Sequence, residues 1–114
     1  MKIAFLGAGK MATAMVEGLI ARKIAAAPDL ACQDVLPEAA AKLAARTGIA
    51  AASTPEELLA RADTLVVAFK PQNLAGADPR LGAAARGKLV LSILAGTRLA
   101  RLEQAFPGAR NLVR

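Results

Sequence analysis

The strongest constraint on this chain is a short apolar segment that leads, through two glycines, directly into a helix-forming segment. Ile3–Leu6 is typical of a buried strand, Gly7-Ala8-Gly9 follows, and residues 10–22 favour a helix. Together with Ala12, the glycines form the pattern G-x-G-x-x-A. Because the pattern follows a strand and opens a helix, it indicates a dinucleotide-binding βαβ unit.

Each small residue of this pattern has a physical task. Gly7 permits a sharp turn, since it has no Cβ. Gly9 would let a pyrophosphate approach the backbone closely, and Ala12 would let the helix pack tightly on the strand. The first N–H groups of the helix have no partner within it and can bind an anion. The alternative is an ordinary glycine turn between a strand and a helix.

Composition excludes several classes of protein. The chain has 114 residues, which suits one domain over 1–114, and its core must be aliphatic because it has three Phe and no Trp or Tyr. The net charge is +6, but the basic residues are scattered and aromatic platforms are scarce, so no nucleic-acid partner is expected. The sequence contains no run of 18 apolar residues, so no membrane span is expected.

The N-terminal Met-Lys and apolar run resemble a signal peptide, but Lys10 and Glu17 interrupt it. We therefore expect no targeting segment and a cytoplasmic protein. The single cysteine, Cys32, excludes an intrachain disulfide and is expected to be a small buried residue. The chain has no His, which excludes His-based catalysis and disfavours a metal site.

Strands and helices are expected to alternate along the chain. The predicted strands are residues 3–6, 30–33, 49–52, 64–69, 88–93 and 110–113. The predicted helices are residues 10–22, 37–46, 55–61, 73–85 and 98–106. This order predicts an α/β fold of the Rossmann type, a doubly wound parallel sheet with ligands bound beside the first strand.

Asp34 lies at the end of the second predicted strand, about 22 residues past the glycine pattern, as is usual for a ribose-binding acid. Its carboxylate could accept hydrogen bonds from the adenosine ribose of NAD and would repel the 2′-phosphate of NADP. These considerations favour NAD slightly. The alternative is that Asp34 is a turn or cap residue.

Two further segments end buried strands on the same edge of the predicted sheet. Ala68-Phe69-Lys70-Pro71 and Ala95-Gly96 could line the nicotinamide half of a cofactor site. The alternatives are a solvated Lys70 and purely structural glycines. Met11 and Met15 are expected to face the core, although Met11 also lies at the turn.

Four segments together resemble pyrroline-5-carboxylate reductase, the last enzyme of proline biosynthesis. They are residues 3–12 (IAFLGAGKMA), 68–72 (AFKPQ), 90–96 (VLSILAG) and 112–114 (LVR). The match spans this chain but only the N-terminal half of the family. It implies cofactor contacts at Leu6, Gly7, Ala8, Gly9, Lys10, Met11, Asp34, Ala68, Phe69, Lys70, Pro71, Ala95 and Gly96.

The resemblance implies reduction of 1-pyrroline-5-carboxylate to proline with NADP or NAD as cofactor. The sequence departs from the family pattern at Lys10, Phe69 and Leu94. Asp34 is also unexpected, because the family commonly uses NADPH. The resemblance does not extend to the family's C-terminal helical domain, which in the family binds the substrate and forms the dimer. We therefore expect a cofactor-binding chain without catalytic residues, inactive alone and oligomeric only with that domain.

Two alternatives stay open. The chain could come from another NAD(P)-dependent reductase, of the deazaflavin-dependent NADP oxidoreductase or β-hydroxyacid dehydrogenase type. It could also be a non-catalytic module that senses a dinucleotide.

Overall fold

The computed structural model describes residues 2–34, 36–60, 62–68 and 86–92, together with the backbone of residues 111–113. The elements are β1 (Ile3–Leu6), α1 (Lys10–Ala21), β2 (Leu30–Gln33), α2 (Pro37–Thr47), β3 (Ala50–Ala51), α3 (Pro55–Leu59), β4 (Thr64–Val67), β5 (Leu89–Ser92) and β6 (Asn111–Val113). The helices predicted over residues 73–85 and 98–106 lie outside the described residues.

The described strands form one six-stranded sheet in the order β3-β2-β1-β4-β5-β6. Every pairing is parallel, and β1 lies between β2 and β4. The chain moves outward on one side of β1 through β2 and β3, then returns to the other side at β4. This reversal places the carboxyl end of β1 at the topological switch point, where ligands bind in such sheets. The predicted doubly wound parallel sheet is confirmed.

Local sequence signals account for the helix boundaries. Pro37 occupies the first turn of α2, and Gly48 ends that helix in the left-handed region with φ of 84°. The Thr54 hydroxyl caps α3 by accepting a hydrogen bond from the Glu57 N–H at 3.1 Å. Because these signals are local, the observed α1 and α2 ends lie within one residue of the prediction, whereas α3 is two residues shorter than predicted.

The described core is aliphatic except for Phe5, in keeping with the composition. Its largest fully buried side chains include Phe5, Leu30, Leu58, Leu65 and Val90. Cys32 is also fully buried, which confirms its predicted role as a small core residue. In the described part of the chain, no helix combines the length and apolarity that crossing a bilayer would need.

Three sequence predictions need correction. Met11 is 61% exposed, whereas Met15 packs against the core as expected. The buried Ala12 faces the sheet, and Met11 lies about 100° from it around the helix, compared with about 60° for Met15. The predicted loop before β2 contains a short 3₁₀ turn at Ala27–Asp29. The third strand is confined to Ala50–Ala51, although the Ala52 N–H still donates to the Cys32 carbonyl of β2 at 2.8 Å.

Candidate functional site

The turn after β1 is held to the neighbouring strand. Gly7 has φ of 106°, a conformation that a residue with a Cβ rarely adopts. Its N–H donates to the Gln33 carbonyl at the end of β2, at 2.8 Å. The sequence prediction that Gly7 makes a sharp turn is thus correct, and the bond to Gln33 fixes where that turn points.

The N-terminus of α1 presents backbone donors beside this turn. Gly9 is the N-cap residue and supplies no side-chain hydrogen bond, and the first turn carries no acidic residue. The first bond within the helix runs from the Thr13 N–H to the Gly9 carbonyl, at 2.9 Å. The preceding N–H groups therefore have no acceptor within the helix, and the helix dipole adds positive potential there.

The space above Gly9 is open. Its φ of −81° suits any residue, so the backbone conformation does not require glycine. Apart from its own two chain neighbours, a Cβ built on Gly9 would meet no atom of the described residues within 4 Å. Nothing in the described fold therefore explains why this position lacks a side chain. A group that approaches the backbone from solvent would explain it.

Asp34 follows β2 and contacts the glycine turn directly. Its Oδ2 accepts a hydrogen bond from the Ala8 N–H at 2.7 Å, and its Oδ1 accepts one from the Leu36 N–H at 2.9 Å. The second bond is the local turn contact that the alternative interpretation of Asp34 anticipated. The first bond is not local, because it joins the end of β2 to the turn after β1. The two interpretations of Asp34 are therefore compatible.

The predicted site residues that the structure describes lie together at one edge of the sheet. Leu6 is only 2% exposed, so it presents backbone rather than side chain to this edge. Lys10 and Met11 are exposed in the first turn of α1. Ala68 extends the pairing of β4 with β1, since its N–H donates to the Leu6 carbonyl at 2.8 Å. The remaining predicted residues, Phe69, Lys70, Pro71, Ala95 and Gly96, lie outside the described residues.

Cys32 lies close to this edge but is not suited to react. Burial, and secondarily the negative charge of Asp34, raises the pKa of the Cys32 thiol to about 11. The thiol is therefore protonated at neutral pH, and it contacts the Ala40 carbonyl with an Sγ···O distance of 3.7 Å.

Sequence reasoning overlooked two contributors. The Gln33 carbonyl anchors the glycine turn, and the Leu36 N–H anchors Asp34. Both act through backbone atoms, so residue type carries no signal for them. Their positions, one before and two after Asp34, would have been the only clue.

Comparison with known proteins places the chain in a family. The family model described as "NADP oxidoreductase coenzyme F420-dependent" matches residues 2–96. The chain belongs to this family. The predicted cofactor, NADP or NAD, agrees with the NADP that the family description names and with the NADP bound in a solved structural neighbour.

Individual relatives of this NADP oxidoreductase family member are pyrroline-5-carboxylate reductases. The chain is 33% identical to that of Methanosarcina acetivorans and 35% identical to that of Pseudomonas aeruginosa, in each case over 99% of its own length. It spans only 42% and 41% of the length of these relatives. The resemblance derived from the four sequence segments is confirmed.

Solved structures agree. The Plasmodium falciparum pyrroline carboxylate reductase with NADP bound has a TM-score of 0.81 and 25% identity, covering 99% of this chain and 40% of that one. The Coxiella burnetii pyrroline-5-carboxylate reductase has a TM-score of 0.82 and 22% identity, covering 92% and 39%. At 22% identity, the comparison with the Coxiella burnetii structure supports only the fold.

Proposed function

We propose that residues 1–114 form the NAD(P)-binding domain of a pyrroline-5-carboxylate reductase. The observation that supports this most is the open space above Gly9, next to unpaired N–H groups of α1. A glycine that the backbone conformation does not need, placed beside free donors, is what close approach of a diphosphate requires. The similarity to pyrroline-5-carboxylate reductases over nearly the whole chain supports the substrate class.

In this proposal each part of the site holds a different part of the cofactor. Residues 6–11 bind the diphosphate, chiefly through the N–H groups that α1 leaves free, and Lys10 adds a positive charge. Asp34 accepts hydrogen bonds from the adenosine ribose. Ala68 and the predicted residues Phe69, Lys70, Pro71, Ala95 and Gly96 line the nicotinamide end, largely through backbone groups.

When bound, NAD(P)H supplies a hydride to the imine carbon of 1-pyrroline-5-carboxylate, whose ring nitrogen takes a proton, giving proline and NAD(P)⁺. The contribution of this chain is to position the cofactor, because binding and orientation are what a protein adds to nicotinamide chemistry. We assign it no catalytic residue. Substrate binding and oligomer formation are assigned to the part of the relatives that this chain does not span.

A second candidate is a reductase of the same family with a different acceptor. The family description, which names coenzyme F420, is the observation that favours it. The two candidates share the dinucleotide site and differ in the substrate. The two candidates can be separated with a fusion protein, in which this chain is followed by the part of a pyrroline-5-carboxylate reductase that it does not span. Reduction of 1-pyrroline-5-carboxylate by this fusion protein would favour the first candidate.

Titration with NADH and NADPH tests the proposal. The reduced nicotinamide ring is itself fluorescent, so its emission reports binding directly. We expect saturable binding of at least one cofactor, and little or no proline formation when 1-pyrroline-5-carboxylate is added. Absence of binding to both cofactors would refute the cofactor site. Rapid proline formation would refute the assignment of catalysis to the part of the relatives that this chain does not span.

A further inference from the structure

The carboxylate of Asp34 is held in one place by backbone groups on both sides. Its Oδ2 is fixed by the Ala8 N–H of the glycine turn, and its Oδ1 by the Leu36 N–H that precedes α2. The paired register of β1 and β2, in which Leu6 lies opposite Gln33, fixes the separation of these two donors. Asp34 therefore cannot swing away from a ligand bound at the turn without losing both bonds.

This anchoring leaves room for a ligand on the carboxylate itself. A carboxylate offers about four lone-pair positions, and the two backbone bonds use two of them. The adenosine ribose of NADH carries two adjacent hydroxyl donors, which match the remaining acceptors. The ribose of NADPH replaces one of these donors with a 2′-phosphate, an anion that has only acceptors to offer and repels the carboxylate.

The segment after Asp34 supplies nothing that would compensate a 2′-phosphate. Residues 34–38 read Asp-Val-Leu-Pro-Glu, with two acids, no base and no hydroxyl. Leu36, whose N–H is bonded to Asp34, is 57% exposed, so an apolar side chain occupies a position where an arginine could pair with the phosphate.

The bases described on α1 and α2 do not change this balance. Lys42 lies more than one turn into α2, and the Arg46 guanidinium pairs with Glu17 of α1. Lys10, in the first turn of α1, lies at the diphosphate end, which NADH and NADPH share, so its charge does not discriminate between them.

We propose that this chain selects NADH over NADPH and that Asp34 sets the choice. The proposal rests on the proposed function, in that it requires a dinucleotide at this turn. It separates this chain from its Plasmodium falciparum neighbour, whose structure has NADP bound. Specificity arises here from repulsion of the wrong ligand as well as attraction of the right one.

Parallel titrations with NADH and NADPH test the choice. We expect the wild-type chain to bind NADH at least tenfold more tightly than NADPH. Asp34→Asn removes the charge and should lower this ratio at least fivefold. Asp29→Asn is a matched control: Asp29 precedes β2 rather than following it, roughly 16 Å away along the strand, and should leave the ratio unchanged.

A second variant covers the case in which Asp34→Asn loosens the turn. Leu36→Arg changes an exposed side chain, keeps Asp34 and its bonds, and should tighten NADPH binding at least threefold with little change for NADH. Equal or tighter wild-type binding of NADPH, or a ratio that neither variant moves, would overturn the selection while leaving the cofactor site standing. Failure to bind either cofactor would overturn both proposals together.

Discussion

Gly9→Ala separates binding from folding at the start of α1. The new methyl group would enter a space that contains no atom of the described residues within 4 Å, apart from those of its two chain neighbours. A diphosphate oxygen that is hydrogen-bonded to the free N–H groups of α1 would lie about 2.9 Å from their nitrogen atoms. At that distance the methyl group cannot fit between the diphosphate and the backbone. We therefore expect the affinity for reduced nicotinamide cofactor to fall at least tenfold, equivalent to about 1.4 kcal/mol.

The effect of Gly9→Ala on stability should be small. Restricting the unfolded chain stabilises the fold by about 0.4–1 kcal/mol, because the Gly9 φ of −81° is accessible to alanine. Replacing glycine at an N-cap by alanine costs roughly 0.5–1 kcal/mol. These contributions nearly cancel. At roughly 4 °C per kcal/mol for a chain of this size, Tm should stay within about 2 °C of the wild-type value.

Gly18→Ala is the matched control. Gly18 lies within α1, about 13 Å further along the helix axis, and a Cβ there also meets no described atom within 4 Å. Alanine should stabilise the helix by about 0.8–1.0 kcal/mol and leave cofactor affinity unchanged. Affinity would be followed by nicotinamide emission and Tm by circular dichroism. Wild-type affinity in Gly9→Ala, or an equal loss in both variants, would refute the reasoning.

Three further predictions concern the framework of the site. Gly7→Ala places a Cβ at φ of 106° and should lower the free energy of unfolding by about 1–3 kcal/mol in urea titrations; wild-type stability would contradict the strained turn. Thr54→Ala removes the α3 cap and should cost about 1 kcal/mol, again in urea, without changing cofactor affinity. Because the pKa of Cys32 is raised from 9.0 to about 11 in the folded protein, its contribution to stability is complete below pH 9 and lost as the pH rises through 11. Thermal unfolding of Cys32→Ala should therefore depend less on pH over this interval, and identical slopes would contradict the assignment.

Much of the fold follows from local patterns. The apolar runs of β1, β4 and β5 are nearly continuous, as strands covered on both faces must be. Pro37 and Gly48 mark both ends of α2 because their backbone conformations are restricted or permissive regardless of context. The third strand was placed less well, since its alanines have weak strand propensity and only pairing with β2 selects Ala50–Ala51.

The sequence predicted which residues lie together at one edge of the sheet, but not which atoms they contact. The spacing of Gly7, Gly9 and Asp34 places them at one edge of a parallel sheet. That the Asp34 carboxylate bonds the Ala8 N–H depends on the register of two strands that are distant in sequence. The exposure of Met11 depends on how α1 is rotated against the sheet, which the periodicity of its own side chains defines only approximately.

By itself, the sequence determined the type and order of the elements, the sharp turn at Gly7 and the acid after β2, because these depend on the conformational preferences and chemistry of single residues. The tertiary structure alone decided that the space above Gly9 is open and that Asp34 is clamped between two backbone donors. Both depend on atoms brought together by strand pairing and helix packing, so no single segment of the chain encodes them.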